Sequence, residues 1–172
     1  MNYAAIKKRD IANGPGVRVS LFVSGCTHHC PGCFNAATWD FAYGEPFTPE
    51  VEAELIELMK PDYISGLSLL GGEPFENCNQ RVLLPFLKKV RATFPEKTVW
   101  CYSGYTLEQL QDGCRARCEC TDEMLSLLDV LVDGEFVLDK KNIRLRFRGS
   151  ENQRLIDMNK TRAAGKIVLW DV

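Results

Sequence analysis

Short apolar segments alternate with amphipathic, helix-like segments along this 172-residue chain. The strand-like runs cover residues 17–24, 64–70, 98–102 and 130–133, and the helix-like runs start at residue 48 and then cover much of 79–94, 107–111 and 121–128. Strands that alternate with helices indicate βα units around a mainly parallel sheet. The sequence therefore predicts an α/β fold. Thr48-Pro49 is a typical helix start, and Pro85 is expected to start, bend or delay the second helix.

Glycine-containing motifs follow the predicted strands. They are the cysteine loop after residue 24, GGEP at 71–74, SGYT at 103–106 and DGEF at 133–136. In folds with parallel strands, ligands collect at the carboxyl ends of the strands. The sequence thus predicts one shared active site at that edge of the sheet.

Composition limits the possible functions. A net charge of −2 argues against a general nucleic-acid binder. No apolar run approaches the roughly 20 residues that a membrane span needs, and residues 1–10 lack the apolar core of a signal peptide. We therefore expect a cytoplasmic protein with one domain over residues 1–172, in which 159–172 form a variable extension. In that compartment the eight cysteines are expected to bind metal or to act in catalysis rather than to form disulfides.

The segment CTHHCPGC holds three of the eight cysteines and both histidines. Cys26, Cys30 and Cys33 with either His28 or His29 would complete a tetrahedral zinc site. Alternatively, three thiolates would leave one iron of a 4Fe–4S cluster open to a small molecule, because ordinary clusters use four. An open coordination position is typical of a catalytic metal. From these residues alone, zinc and iron–sulfur both remain possible.

Several motifs together carry a resemblance to a known family. They are NGPGVR at 13–18, SGCTHHCPGCFN at 24–35, VDGEF at 132–136 and RGSENQR at 148–154, with GGEP between the second and the third. In this order they resemble the activating proteins of anaerobic (class III) ribonucleoside-triphosphate reductase, within the radical S-adenosylmethionine (radical SAM) superfamily. The resemblance extends over residues 1–158, nearly the full length.

The resemblance implies a partial (β/α) barrel of the radical SAM type, with helices outside a mainly parallel sheet. It implies that Cys26, Cys30 and Cys33 ligate three irons of one 4Fe–4S cluster, whose fourth iron binds S-adenosylmethionine. Reductive cleavage of this cosubstrate would give a 5′-deoxyadenosyl radical that removes a hydrogen from a backbone glycine of the reductase. The implied partners are the large subunit of the reductase and a one-electron donor such as flavodoxin. Activation of another glycyl-radical enzyme, such as pyruvate formate-lyase, and a zinc-stabilised binding module are the alternatives.

Residues at the strand ends and beside the third cysteine are predicted to contact the cosubstrate: Gly32, Cys33, Phe34, Gly72, Glu73, Ser103 and Asp133. The resemblance gives the backbone of Gly72 and the carboxylate of Glu73 to the ammonium group. Gly72 has no Cβ, so its backbone can approach a ligand, and added bulk is expected to point into the site. Ser103 and Asp133 would reach the ribose or the carboxylate, and each also suits a plain turn. The histidines are expected to face solvent or to support the ligands rather than to bind iron.

A second thiol-rich segment, CRARCEC, holds Cys114, Cys118 and Cys120. It lacks Cys-x-x-Cys spacing, so a second metal centre is the less favoured interpretation, with zinc preferred over iron–sulfur.

The C-terminal third is the most basic part of the chain. Arg144, Arg146 and Arg148 alternate with apolar residues, which predicts a strand with one solvated face. That face is either a plain charged edge or a docking surface for the reductase or an acidic electron donor. The segment 166–172 is expected to form a last strand.

Overall fold

Seven β-strands form one open sheet in the computed structural model, which describes residues 1–171. In chain order they are β1 (Asn2–Asp10), β2 (Val17–Val23), β3 (Glu45–Pro46), β4 (Ile64–Gly71), β5 (Thr98–Ser103), β6 (Val130–Asp133) and β7 (Arg154–Asp157). Across the sheet their order is β3-β1-β2-β4-β5-β6-β7. Strands β2, β4, β5 and β6 are parallel, whereas β1, β3 and β7 pair antiparallel with their neighbours. The predicted α/β class is confirmed, with a sheet that is mixed at its edges.

Five α-helices connect or follow the strands within residues 1–171: α1 (Pro49–Met59), α2 (Asn77–Thr93), α3 (Leu107–Asp112), α4 (Thr121–Ser126) and α5 (Met158–Ala164). The first begins as predicted, because Thr48 Oγ1 accepts a hydrogen bond from Val51 N at 3.4 Å. Helix α2 runs through Pro85 instead of starting there. Among residues 1–171, no helix combines the length and apolar character needed to cross a membrane.

The helices cover only one of the two faces of the sheet. Consecutive parallel strands are neighbours, so right-handed crossovers place the connecting helices on one face. On that face Leu21 and Leu69 pack into the main core with Leu83 and Leu87 of α2. Side chains alternate along a strand, so the residues that follow them in β2 and β4 point to the opposite face.

That opposite face carries a second, smaller cluster formed by Trp100, Val130, Val132 and Leu155. The rings of Phe147 and Trp170 lie 5.5 Å and 5.0 Å from the ring of Trp100. Trp170 N also donates to the carbonyl of Leu155 at 2.8 Å, so the C-terminal segment lies along β7. This aromatic cluster therefore closes one end of the sheet face that the helices leave open.

Two predicted strands in the C-terminal third are wrong. Residues 144–148 form turns, because Phe147 adopts a φ of +59° and its ring packs into the second cluster. Phe147 is therefore apolar because its ring is buried in the second cluster, and not because it alternates with arginines along a strand. The segment 166–171 makes only a single bridge, from Leu169 to Ile156, and Val172 lies outside the described residues.

Arg18 ties the motif at 13–18 to the sheet from inside the protein. Its side chain is fully buried and donates from Nε to Ser68 Oγ at 2.8 Å and from Nη1 to Thr98 Oγ1 at 2.9 Å. Its Nη2 donates to the carbonyls of Leu67 and Thr98. These partners are neutral oxygens, and burial lowers the pKa of Arg18 to about 10. One guanidinium thus joins β2, β4 and β5.

Candidate functional site

A cavity of about 480 Å³ lies on the sheet face away from the helices and opens at the carboxyl ends of the parallel strands. Its rim includes residues that follow or end these strands, namely Cys26, Gly72, Ser103 and Gly134. Further in, Phe22, Leu70 and Tyr102 form a row across β2, β4 and β5. The segment 141–149 supplies another wall. The predicted position of the site, at the strand ends, is where the structure has its cavity.

Cys26, Cys30 and Cys33 all line this cavity, so the three predicted ligands lie at one opening. The loop that holds them is fixed at its start, where Gly25 N donates to the carbonyl of Thr38 at 2.8 Å.

Further hydrogen bonds hold the next residues of the cysteine loop in place. Cys26 N donates to the carbonyl of Trp39 at 3.2 Å. Thr27 donates from both N and Oγ1 to Glu76 Oε1, at 2.8 and 2.6 Å. A loop held in this way presents its thiols with little conformational freedom to lose.

The thiol chemistry fits an iron–sulfur cluster. Burial raises the pKa of Cys26 to about 12 and also raises the pKa of Cys30, and a bound metal, which takes thiolates as ligands, would oppose this effect. Within residues 1–171, no three His, Cys, Asp or Glu side chains converge on a point that would hold a single metal ion. A 4Fe–4S cluster makes no such demand, because each thiolate binds a different iron. The donor set thus fits a three-thiolate cluster better than a mononuclear zinc site.

Glu73 is 1% exposed, and donors from the protein surround its carboxylate. Oε1 accepts from Phe75 N at 2.8 Å and from Ser103 Oγ at 3.0 Å, and Oε2 accepts from Gly104 N at 2.8 Å. Two residues predicted to bind the cosubstrate, Glu73 and Ser103, therefore bind each other and join the ends of β4 and β5. Both also line the cavity.

His28 lies between two carboxylates and supports the site rather than facing solvent. Its Nδ1 is 2.7 Å from Glu135 Oε1, and its Nε2 is 3.2 Å from Glu73 Oε2 without hydrogen-bond alignment. Burial opposes a charge on the ring, but the two carboxylates outweigh it and raise the pKa of His28. The ring packs on Tyr105 at 4.3 Å and fills the space over Gly104. It thereby connects the cysteine loop to GGEP, SGYT and DGEF.

Gly72 is required by the cysteine loop rather than by open space in the cavity. A Cβ on Gly72 would lie 2.6 Å from the carbonyl oxygen of Gly25 and 3.0 Å from that of Thr38. Gly72 N donates to Val23 O at 2.7 Å, which seats the turn against β2. The expectation that bulk at this position points into the cosubstrate's site is therefore wrong, since it meets the backbone beside Cys26.

Three other predicted contacts differ in position. Phe34 lines the cavity mouth with its side chain largely exposed. Gly32 is exposed, and a Cβ there would lie 2.7 Å from Leu138, outside the residues that line the cavity. Asp133 is fully buried, and its Oδ2 accepts from Leu107 N at 2.8 Å and from Arg154 Nη2 at 2.6 Å. Asp133 thus holds α3 and β7, and its carboxylate does not line the cavity.

Sequence reasoning found no role for the motif at 148–154, and the structure supplies one. Gln153 Oε1 accepts from Gly149 N at 2.9 Å and from Ser150 N at 3.1 Å, while its Nε2 donates to the carbonyl of Gly134 at 3.0 Å. Arg148 Nη1 donates to the Gln153 carbonyl. The motif therefore fastens the wall segment 141–149 to the end of β6. The only sequence signal for this role is that the motif is rich in polar, turn-forming residues.

The second thiol group lies between α3 and α4, away from the cavity lining. Cys120 is buried at the start of α4, and Cys118 N donates to Thr121 Oγ1 at 2.9 Å. In the described part of the chain, these thiols do not converge with other ligating side chains on one metal position.

Comparison with known proteins points in the same direction. A family model described as "4Fe-4S single cluster domain" matches residues 12–156. A protein of Pasteurella multocida (strain Pm70) is 44% identical over 155 residues, which is 89% of this chain and 95% of the relative. A protein of Escherichia coli (strain K12) is 43% identical over 89% of this chain and 96% of its own length. One from Enterobacteria phage T4 is 40% identical over 90% and 93%. All three are named "Anaerobic ribonucleoside-triphosphate reductase-activating protein".

Proposed function

The chain belongs to the family of anaerobic ribonucleoside-triphosphate reductase-activating proteins, and on this premise we propose that it generates a glycyl radical on such a reductase. One observation carries the proposal. Three thiols without a fourth neighbour lie at the opening of a cavity that is large enough for a small cosubstrate.

Cys26, Cys30 and Cys33 would hold one 4Fe–4S cluster with one iron free of protein ligands. Bound there, the cluster and S-adenosylmethionine supply the one-electron chemistry from which the radical on the reductase arises. The protein's own residues seat the loop through Thr38, Trp39 and Glu76, as described above. They thereby keep the thiols at the cavity mouth before the cluster is inserted.

The cosubstrate's methionine part would lie against Gly72 and Ser103, which line the cavity beside the thiols. The buried carboxylate of Glu73 lies directly behind them and favours a cationic ammonium group at this position. Because Glu73 is already hydrogen-bonded to Phe75, Ser103 and Gly104, its contribution is mainly electrostatic and positional. Cys33 and Phe34 would border the remaining part of the cosubstrate at the mouth.

The walls of the cavity protect a reactive species from water. Phe22 and Leu70 line one side, and Leu145 and Phe147 of the segment 141–149 line another. A site with apolar walls excludes water and side reactions once its occupants are bound.

We further propose the fold type, the electron donor and the cellular compartment of this protein. The open sheet with its helices on one face would be the partial (β/α) barrel of the radical SAM type. A one-electron donor such as flavodoxin would reduce the cluster. The eight unpaired cysteines suit the reducing conditions of the cytoplasm.

Anaerobic reconstitution tests this function directly. The purified protein is loaded with iron and sulfide, and bound iron, cleavage of S-adenosylmethionine with dithionite, and the glycyl radical on the cognate reductase are measured in parallel. We expect a brown protein with about four irons per chain, as one 4Fe–4S cluster requires, and a radical signal by electron paramagnetic resonance that depends on S-adenosylmethionine. A colourless zinc protein, or cosubstrate cleavage without any reductase radical, would contradict the proposal.

A further inference from the structure

The cysteine loop has an outer side that does not face the cavity. Gly32, which lies between the proposed ligands Cys30 and Cys33, adopts a φ of +74°, and a Cβ there would lie 2.7 Å from Leu138 Cδ1. Gly32 is exposed, Leu138 is 50% exposed, and neither lines the cavity. Another protein can therefore contact the loop beside two proposed ligands without entering the cavity.

A second depression, of about 330 Å³, lies beside this contact. It is lined by Pro31 and by residues 135–139, of which only Phe136 also lines the cavity. The backbone of Phe136 forms a hydrogen bond with the Cys30 thiol. The depression is thus next to a proposed cluster ligand and is bordered by apolar side chains.

The segment 138–146, which continues from this depression, carries a concentrated positive charge. It holds four cations and one carboxylate, all exposed: Lys140, Lys141, Arg144, Arg146 and Asp139. In the part of the chain that the structure describes, none of these cations takes part in an ion pair, whereas Lys8, Lys60 and Lys88 each pair with a glutamate. Unpaired surface cations attract an acidic partner and steer its approach.

The other flank of the cysteine loop has the opposite charge. There the ring of Phe41 lies directly over Gly25, and residues 34–59 include six carboxylates and no Lys or Arg. An acidic protein is repelled by such a flank and attracted by the segment 138–146. Charge therefore favours the Leu138 side of the loop for a partner of this kind.

We propose, on the basis of the proposed function, that Pro31, Leu138 and Lys140 form the docking surface for an acidic one-electron donor protein of the flavodoxin type. The path for the electron is short, because Pro31 adjoins Cys30 and Leu138 covers Gly32. The donor's anionic flavin hydroquinone loses one electron and becomes the neutral semiquinone, and the cluster held by the thiolates gains that electron. No proton moves, and no bond forms or breaks. Because this surface lies outside the cavity, the cavity stays available to the cosubstrate and the reductase.

The test reverses the character of this surface with Leu138→Glu and Lys140→Glu together, in the cluster-loaded protein. The matched control is Leu169→Glu with Lys166→Glu, since Leu169 is 55% exposed, Lys166 is exposed, and neither lines the cavity or the depression. The Kd of oxidised flavodoxin is measured by calorimetry at low and high salt. Cleavage of S-adenosylmethionine is measured in parallel with reduced flavodoxin and with dithionite.

For the Leu138 and Lys140 variant, we expect the Kd of flavodoxin at low salt to rise about 10-fold, as for the loss of an apolar anchor and a steering charge. Flavodoxin-driven cleavage at limiting donor falls by a similar factor. Dithionite-driven cleavage stays at the wild-type rate, because a small reductant needs no docking surface. The control variant matches the wild type in every measurement.

Three results would overturn the inference. An equal fall in flavodoxin-driven and dithionite-driven cleavage would mean that Leu138 only supports the cysteine loop. A wild-type Kd for flavodoxin in the variant, or no binding of flavodoxin to the wild-type protein, would place the donor elsewhere. Wild-type donor-driven cleavage with fewer glycyl radicals per cosubstrate cleaved would assign the surface to the reductase. If the wild-type protein cleaves no S-adenosylmethionine with dithionite, the proposed function fails instead, and the Kd of flavodoxin still decides the docking surface.

Discussion

The segments 26–33 and 114–120 each place three cysteines within a few residues, yet their surroundings differ. The first follows the buried parallel strand β2, and its backbone donates from Cys26 N to the carbonyl of Trp39 and from Thr27 N to Glu76. The second lies between the short helices α3 and α4, away from the cavity. Local thiol density is nearly the same, so density alone does not distinguish the two groups. The proposed cluster site is the group at the carboxyl end of a parallel strand, beside a cavity.

Removing single thiols tests this contrast most strongly. Cys26→Ala, Cys30→Ala and Cys33→Ala are each expected to lose the cluster and to abolish S-adenosylmethionine cleavage, because three ligands leave no replacement. Cys114→Ala, Cys118→Ala and Cys120→Ala are the matched controls and are expected to retain iron and activity. Iron and sulfide analysis after anaerobic reconstitution decides the outcome. Loss of iron in the second set, with retention in the first, would reverse the assignment.

A substitution at Gly72 tests whether the backbone packing of the loop 26–33 matters as much as its thiols. Gly72→Ala brings a Cβ to 2.6 Å from the Gly25 carbonyl, so the loop must shift. Overpacking of this kind costs about 1–3 kcal/mol. We expect reduced iron retention as well as weaker S-adenosylmethionine binding, measured by iron analysis and calorimetry. Gly165→Ala is the control for destabilisation away from the loop, because nothing lies within 4 Å of its Cβ position although its φ of +64° strains an alanine. Full cluster occupancy with only weaker cosubstrate binding would show that the loop tolerates the side chain.

The arginines of the wall segment 141–149 are a candidate docking surface for a partner protein, and reversing their charge tests this role. Arg144 and Arg146 are exposed, whereas Arg148 is bonded to the Gln153 carbonyl and should be left intact. Reversing Arg144 and Arg146 to Glu is expected to slow activation of the reductase several-fold at low salt, and less at high salt, as for electrostatically steered association. The measurement is the rate of glycyl radical formation across a salt titration. Equal rates at every salt concentration would leave these arginines as a solvated surface.

Glu108 gives the smallest expected effect and concerns the helix that precedes the second thiol group. The hydrogen bond from Arg154 lowers the pKa of Glu108 to about 2. Its stabilising contribution is therefore present above the ordinary pKa near 4.5 and is lost as the pH falls towards 2. The pair is half exposed, so the effect stays below about 1 kcal/mol.

Comparison of the cluster-free wild type with Glu108→Gln measures this effect. Denaturant midpoints at pH 7 and pH 3 should differ more for the wild type than for the variant. Iron binding at neutral pH should be the same in both proteins. If the variant is as acid-sensitive as the wild type, Glu108 does not contribute to the pH dependence of stability.

Much of the central fold could be predicted, because periodicity reports burial. The strands β2, β4, β5 and β6 and the start of α1 at Thr48 were all predicted to within a residue or two. Strand β1 was not predicted, since its run of charged residues at 7–10 hides an antiparallel partner of β2. The segment 144–148 imitated a strand because Phe147 is an anchor for a turn.

The site divides in the same way. The three cysteines and the strand-end motifs could be placed from sequence because chain order fixes which strand ends meet. Side-chain direction could not be placed. Asp133 pairs with Arg154, and Gly72 meets Gly25, through contacts between residues far apart in the chain. Such contacts depend on packing that local patterns do not report.

The buried guanidinium of Arg18 also limits when the molecule can acquire its final form. Its partner Thr98 lies 80 residues further along the chain, and Ser68 lies 50 residues further. Contacts of such long range form late, because the loop between them must first be closed. During synthesis, Arg18 therefore remains without its full set of acceptors until residue 98 has left the ribosome. Until another 80 residues have followed it, this guanidinium is therefore solvated by water rather than by the acceptors of the sheet.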